Sequence, residues 1–234
     1  MREGPESDER GPLPILLVAL TVVAGLVDSV CYLALGQVFV ANMTGNVIFL
    51  GLGLAGSPEG SVSRSLVAIA AFGLGAAAAG RLGTRRAPHH GLVLAVATLC
   101  EAVLTVAVAV LMTVHPVPAE PLRHVLIVLL GLAMGAQNAV VLRVKAVDLK
   151  TTLVTSTMTS LFAEVLNPWK RGWRTASVLI LLLGAFLGGV LLRHVSPATP
   201  LWTAAALMLL CAAYGYAIAR PSDAARPPDA ARRP

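Results

Sequence analysis

FVANMTGNVIFLG, residues 39–51, decides how this chain folds. Asn42, Thr44, Gly45 and Asn46 stand almost side by side in a chain that is 56% hydrophobic. Asparagine amides are costly in hydrocarbon unless something pairs with them. A Thr-Gly-Asn triplet also adds nothing to the middle of a helix. Either the segment is not a plain helix, or its polar groups face something other than lipid.

The surrounding chain sets the solvent. Its mean hydropathy is +0.78, and 13% of its 234 residues are charged, where a soluble domain carries about a quarter. Long apolar runs and this shortfall of charge place it among membrane proteins, with a lipid bilayer as its first partner. The net charge of +6 sits mostly in loops and in the C-terminal tail. It carries topology information, and no basic patch interleaved with aromatics speaks for nucleic acid. Cys31, Cys100 and Cys211 lie inside apolar runs without ligand spacing, so neither a disulfide nor a metal site is expected. The pair His89-His90 is too little for a metal centre. HExxH, GxSxG, P-loop and GxGxxG signatures are absent, so the expectation is no enzyme and no cofactor. Residues 1–12 and 221–234 read as disordered tails around one membrane domain, 13–220. The first apolar run is long, with mixed charge before it, and reads as a retained span rather than a secretory signal.

Six runs have the length to cross a bilayer, near 15–36, 62–81, 91–114, 122–142, 174–193 and 200–219. Two others do not fit. Residues 37–56 are polar in their first half, and TTLVTSTMTSLFAEVL, 151–166, has sixteen residues of which seven are Thr or Ser. If all eight segments cross, seven of the eighteen Lys and Arg fall outside. If the two odd segments enter and leave on one side, only Arg64, Arg123 and Arg193 do. The positive-inside rule favours the second arrangement, with both termini in the cytoplasm. An internal repeat agrees with it. Gly25-Leu-Val-Asp28 resembles Gly135-Ala-Gln-Asn138 at offset 110, Thr44-Gly45-Asn46 matches Thr155-Ser156-Thr157 at 111, and Arg81 matches Arg193 at 112. The expected fold is therefore an all-α membrane protein with six full transmembrane helices and two short re-entrant or broken helices. Its halves, about 13–114 and 122–220, form a 3+3 inverted repeat, as in many secondary transporters. The alternative is eight crossing helices in a 4+4 parallel repeat.

In the favoured arrangement residues 37–43 run irregularly into the interior and a short helix begins at Asn42 or Thr44, both good N-caps. Gly45 permits close backbone approach. Irregular backbone at such depth is tolerated where it is buried in protein or lines a wet cavity.

These residues carry a resemblance. GLVDSVCYLALGQVFVANMTGNV in the first half, and GAQNAVVLRV followed by TTLVTS in the second, resemble the YoaK-like family of bacterial multi-pass membrane proteins, a domain of unknown function. The resemblance covers nearly the whole chain apart from its tails. In the second block Ser156 stands where the pattern has Gly. The resemblance implies a protein of about six spans in the bacterial inner membrane and no established activity.

Function must come from the residues. Asp28 lies within the first span, where an ionised carboxylate costs about 2.5 to 3.5 kcal/mol on insertion scales. Such a group faces the bundle interior and either pairs or holds a proton. It reads equally as a proton or substrate site and as a structural bond to the neighbouring short segment, to Asn46 or Thr44. Glu101 is the only charge in its span, and its repeat counterpart is Ala212. Gln137 and Asn138 end the fourth full span; with Asn138 matching Asp28 they read equally as part of a site for one cation or proton and as amides bonding neighbouring helices. Asn42, Thr44, Gly45, Asn46, Thr155 and Thr157 would line a central site. Glu164, beside Lys170 and Arg171, reads as interfacial. Small residues four apart, Gly131/Gly135, Gly184/Gly188 and Ala71/Gly75/Ala79, allow close helix crossing within a protomer or in a homo-oligomer. The favoured function is a small-molecule transporter or permease, with Asp28 and Glu101 titrating where a proton is the coupling ion. The alternatives are a passive channel and a structural or accessory membrane protein.

Overall fold

A computed structural model describes residues 13–58, 60–82, 90–144 and 168–219. Among these the chain is all helical, with seven helices and no strand: α1 (Leu13–Ala34), α2 (Met43–Leu54), α3 (Val62–Leu82), α4 (His90–Val114), α5 (Glu120–Val144), α6 (Pro168–His194) and α7 (Thr199–Ala219). All but α2 are long and apolar enough to cross a membrane. Their Leu-, Ala- and Val-rich sequences leave the backbone no partner in lipid other than itself, which the helix supplies.

Burial separates the spans into centre and rim. The buried share is 61% and 50% in α1 and α5, 44% in both α4 and α7, and 22% and 17% in α3 and α6. Leu26, Val27, Leu126, Leu130, Met134, Leu201 and Met208 fill the core between the central helices. The outer faces of α3 and α6 present Leu66, Leu74, Leu182, Leu183 and Phe186.

Lipid tails are as apolar as leucine, so close packing must hold the spans together, and small residues permit it. α3 lies on α5 in the same direction: Arg64 meets Glu120, Gly131 and Gly135 sit against Ala71 and Phe72, and Ala79 packs against the small cluster that holds Val140. α6 lies on α1, also in the same direction. A Cβ on Gly25 would stand 2.6 Å from the Ala185 nitrogen, and one on Gly184 would stand 2.5 Å from the Val22 carbonyl oxygen. The small-residue stripes are thus occupied inside the protomer. α4 and α7 run antiparallel, with the Trp202 indole N–H donating to Thr113 Oγ1 at 3.2 Å.

α2 does not cross. Its 12 residues are about 18 Å long, against about 30 Å of hydrocarbon. α1 ends where Gly36 turns into positive φ (+99°) and the Gln37 N–H reaches back to the Tyr32 carbonyl, 3.1 Å. The chain then doubles back without regular structure as far as Asp28, about 9 Å below the end of α1, before α2 climbs out. At its top, Gly56 (φ +83°) repeats the same helix stop, with Ser57 N–H on the Leu52 carbonyl. Arg64 Nε, at the start of α3, donates to the Gly36 carbonyl at 3.0 Å. The end of α1 and the start of α3 therefore share one end of the bundle, and an eight-crossing path, which would put them at opposite ends, does not describe this half.

Candidate functional site

The irregular piece 39–42 is held from both sides. Asp28 Oδ1 accepts the Val40 and Ala41 N–H groups at 2.8 and 2.9 Å, and Oδ2 accepts Asn42 Nδ2 at 2.6 Å. From α2, Asn46 Oδ1 accepts the Phe39 N–H at 2.9 Å while its Nδ2 donates to the Phe39 carbonyl. A carboxylate and an amide thus replace the water or strand partner that this irregular backbone would otherwise lack. Asn46 is fully buried, with its amide on both the N–H and the carbonyl of Phe39 and its Nδ2 also 3.4 Å from the Met43 sulfur. The Phe39 ring lies over Gly45, where a Cβ would come within 2.5 Å of it, and it stacks on Tyr32 with centroids 5.5 Å apart.

Three details differ from the sequence expectation. The partners of Asp28 are two backbone N–H groups and Asn42, because Asn46 is already committed to Phe39. Asn42 stands at the N-cap position of α2 but makes no side-chain capping bond, since its amide is held by Asp28. Thr44 is exposed and does not reach the interior.

Asn42 instead presents itself to a small cavity of about 30 Å³ beside the tip. Its wall is Leu17, Leu20, Thr21 and Ala24 of α1, Ala41 and Asn42 of the tip, Gln137, Asn138 and Val141 of α5, and Leu181 of α6. Such a volume holds on the order of two waters. Asn138 Nδ2 is bonded to the Met134 carbonyl at 2.9 Å. Thr21 returns its hydroxyl to Leu17 at 2.8 Å. The structure therefore brings Asn42, Gln137 and Asn138 to one space. It places Asp28 and Asn46 immediately behind the tip as its supports. Thr155, Thr157 and Glu164 lie outside the described residues.

Glu101 belongs elsewhere, on the face of α4 turned toward α7. It is 2% exposed, and neither carboxyl oxygen has a hydrogen-bond partner among the described residues. One turn on, Thr105 Oγ1 is likewise buried without a partner among them. Thr98, Glu101 and Thr105 form a polar stripe on that face, each buried. Their spacing of three and four is visible in TLCEAVLT, so the two threonines were a readable signal. Thr21 had none, being one hydroxyl in an otherwise apolar turn.

Six apolar spans around a pinned half-helix define a multi-pass membrane protein. Residues 16–214 match the family described as Protein of unknown function (DUF1275), and the chain belongs to that family. It is also similar to the UPF0700 transmembrane protein YoaK of Bacillus subtilis (strain 168), with 33% identity over 152 residues. That match spans 64% of this chain and 66%, just under two thirds, of the relative. No solved structure matches.

Proposed function

We propose that the protein is a small-molecule permease of the bacterial cell membrane, with both termini in the cytoplasm and its two halves related as an inverted repeat. The observation that carries this reading is the non-crossing tip, fixed part-way down α1 and facing a cavity edged by Asn42, Gln137 and Asn138. A membrane protein that needed only to pack would gain nothing from breaking a helix at that depth. Broken segments of this kind are where many transporters hold their cargo.

Packing supports the repeat. Under the offsets found in the sequence, α1 corresponds to α5, α3 to α6 and α4 to α7. Each corresponding pair shares a level of burial, 61% with 50%, 22% with 17% and 44% with 44%. The seam of α3 on α5 has its counterpart in α6 on α1, both running in one direction. The antiparallel pair α4–α7 is its own counterpart, as an in-plane two-fold axis requires. Orientation is supported by charge: Arg64, Arg123 and Arg193 fall at the end of the bundle where α1 finishes, and Arg81, Arg143 and Arg174 toward the other.

The test is flux into liposomes across a panel of small polar solutes. Saturable, protein-dependent uptake is expected for at least one of them. It should be lost in Gln137→Leu and Asn138→Leu proteins whose thermal stability is unchanged. Flux that rises linearly with concentration would point to a channel. No protein-dependent flux anywhere in the panel would end the permease reading in favour of a structural role.

A further inference from the structure

We propose that Glu101 is the group with which this protein takes up and releases a proton, and that Asp28 is a fixed anchor with no part in proton movement. The coupling half of this statement rests on the permease reading; the protonation half stands alone.

The two buried acids differ in what surrounds them. Asp28 has three N–H donors on its two oxygens and is satisfied as an ionised acceptor. Glu101 has none among the described residues, on a helix whose Ala102 and Val108 share one buried apolar cluster with Ala204 and Met208 of α7. A bare carboxylate is not tolerated there, so the resting side chain carries its proton. From α7 the Cys211 thiol lies nearest, and Tyr214 and Tyr216 further along that helix are exposed. From α5 the described titratable side chains are Glu120, Arg123 and His124, all in the first two turns at the far end of that helix. No cation among the described residues faces Glu101 to fix it in ionised form.

Position adds a second argument. Glu101 lies almost midway along α4 (His90–Val114). It faces Cys211 beside Ala212, its own counterpart in the repeat, so it sits where the proposed two-fold axis passes between α4 and α7. A group on that axis is equally distant from both surfaces. Rocking one half against the other would expose it to either side in turn.

The protein in liposomes is treated with a hydrophobic carbodiimide across buffers from mildly acidic to mildly alkaline, then digested for peptide mass analysis. A neutral carboxylic acid gives its proton to a carbodiimide nitrogen as its oxygen bonds to the central carbon; acyl migration then leaves a stable N-acylurea, with nothing released. The adduct is expected on Glu101 and not on Asp28, with loss of that peptide shift in Glu101→Gln. Its yield should fall about tenfold per pH unit above the midpoint. A folded protein with no adduct on Glu101 at any pH, or with a yield indifferent to pH, overturns the proposal. Trapped pyranine in the same liposomes reads coupling. A panel solute that is carried should move protons with wild type and none with Glu101→Gln. Proton movement retained in Glu101→Gln overturns the proposal and leaves the permease standing. A pH-dependent adduct with no solute carried removes the permease and leaves the protonation site.

Discussion

At the scale of single residues, the chain contains two intramembrane acids that look alike in sequence and differ in the fold. Both were legible as inward-facing, because a carboxylate inside a span has nowhere else to go. Which one would be satisfied was not legible. The donors on Asp28 are mainly peptide N–H groups of Val40 and Ala41, and main-chain donors leave no mark in a list of side chains. Asp28→Ala is therefore expected to destabilise the protein strongly. It strands two buried N–H groups and the Asn42 amide, at about 1 to 3 kcal/mol for each group left without a partner. Asn42→Leu removes one bond of the three and should cost markedly less. Reversible denaturation in mixed micelles would rank the two, and the reverse order would mean that Asp28 does not hold the tip. Gly45 offers a second check. A methyl there meets the Phe39 ring, so Gly45→Ala should lower stability by about 1 to 3 kcal/mol. Gly51→Ala, six residues along the same helix with nothing within 4 Å, should be neutral or slightly stabilising.

At the scale of elements, hydropathy placed the six spans to within a few residues, because length and apolarity are what a bilayer selects. The break at α2 was also legible, since Asn42, Thr44, Gly45 and Asn46 suit no lipid-facing helix. Its start was one of the two legible ones, with Asn42 at the N-cap position and Met43 first in the helix; the missing capping bond was not legible, because Asp28 takes the Asn42 amide, a long-range contact. The course of α2 makes a labelling prediction. In a cysteine-free background, Pro58→Cys in the α2–α3 loop and Val117→Cys in the α4–α5 loop should both react with an impermeant maleimide from one side of the membrane. Reaction from opposite sides would mean that α2 crosses. The seams between spans make another. A Cβ at Gly25 collides with backbone of α6, 2.6 Å from the Ala185 nitrogen. A rotamer change cannot relieve that contact, so the helices must part. Gly25→Ala should lower the unfolding midpoint well below that of Gly51→Ala, although both make the same chemical change inside a helix. Equal midpoints would place the seam elsewhere.

At the scale of the whole molecule, the number of true crossings fixes where the ends emerge. In the first half contacts, not hydropathy, show where they emerge: Arg64 bonds the carbonyl of Gly36 and the carboxylate of Glu120, gathering the end of α1 and the starts of α3 and α5 at one rim. Those three helix ends can meet only if α2 returns to the side it left. With the parallel seam of α6 on α1, Arg193 joins the same rim. That rim holds Arg64, Arg123 and Arg193, the three basic residues that the charge distribution assigns to the outside. The C-terminal end of α7, antiparallel to α4, then emerges at the opposite rim, beside the start of α1. A fluorescent protein that matures only in the cytoplasm should therefore be bright when fused after Ala219, and alkaline phosphatase fused there should be inactive. The same two reporters placed after Val117 should behave in the opposite way. Each of the two sites must switch reporters for the orientation to hold, and a bright fluorescent fusion at both would show that the charge distribution does not orient this bundle.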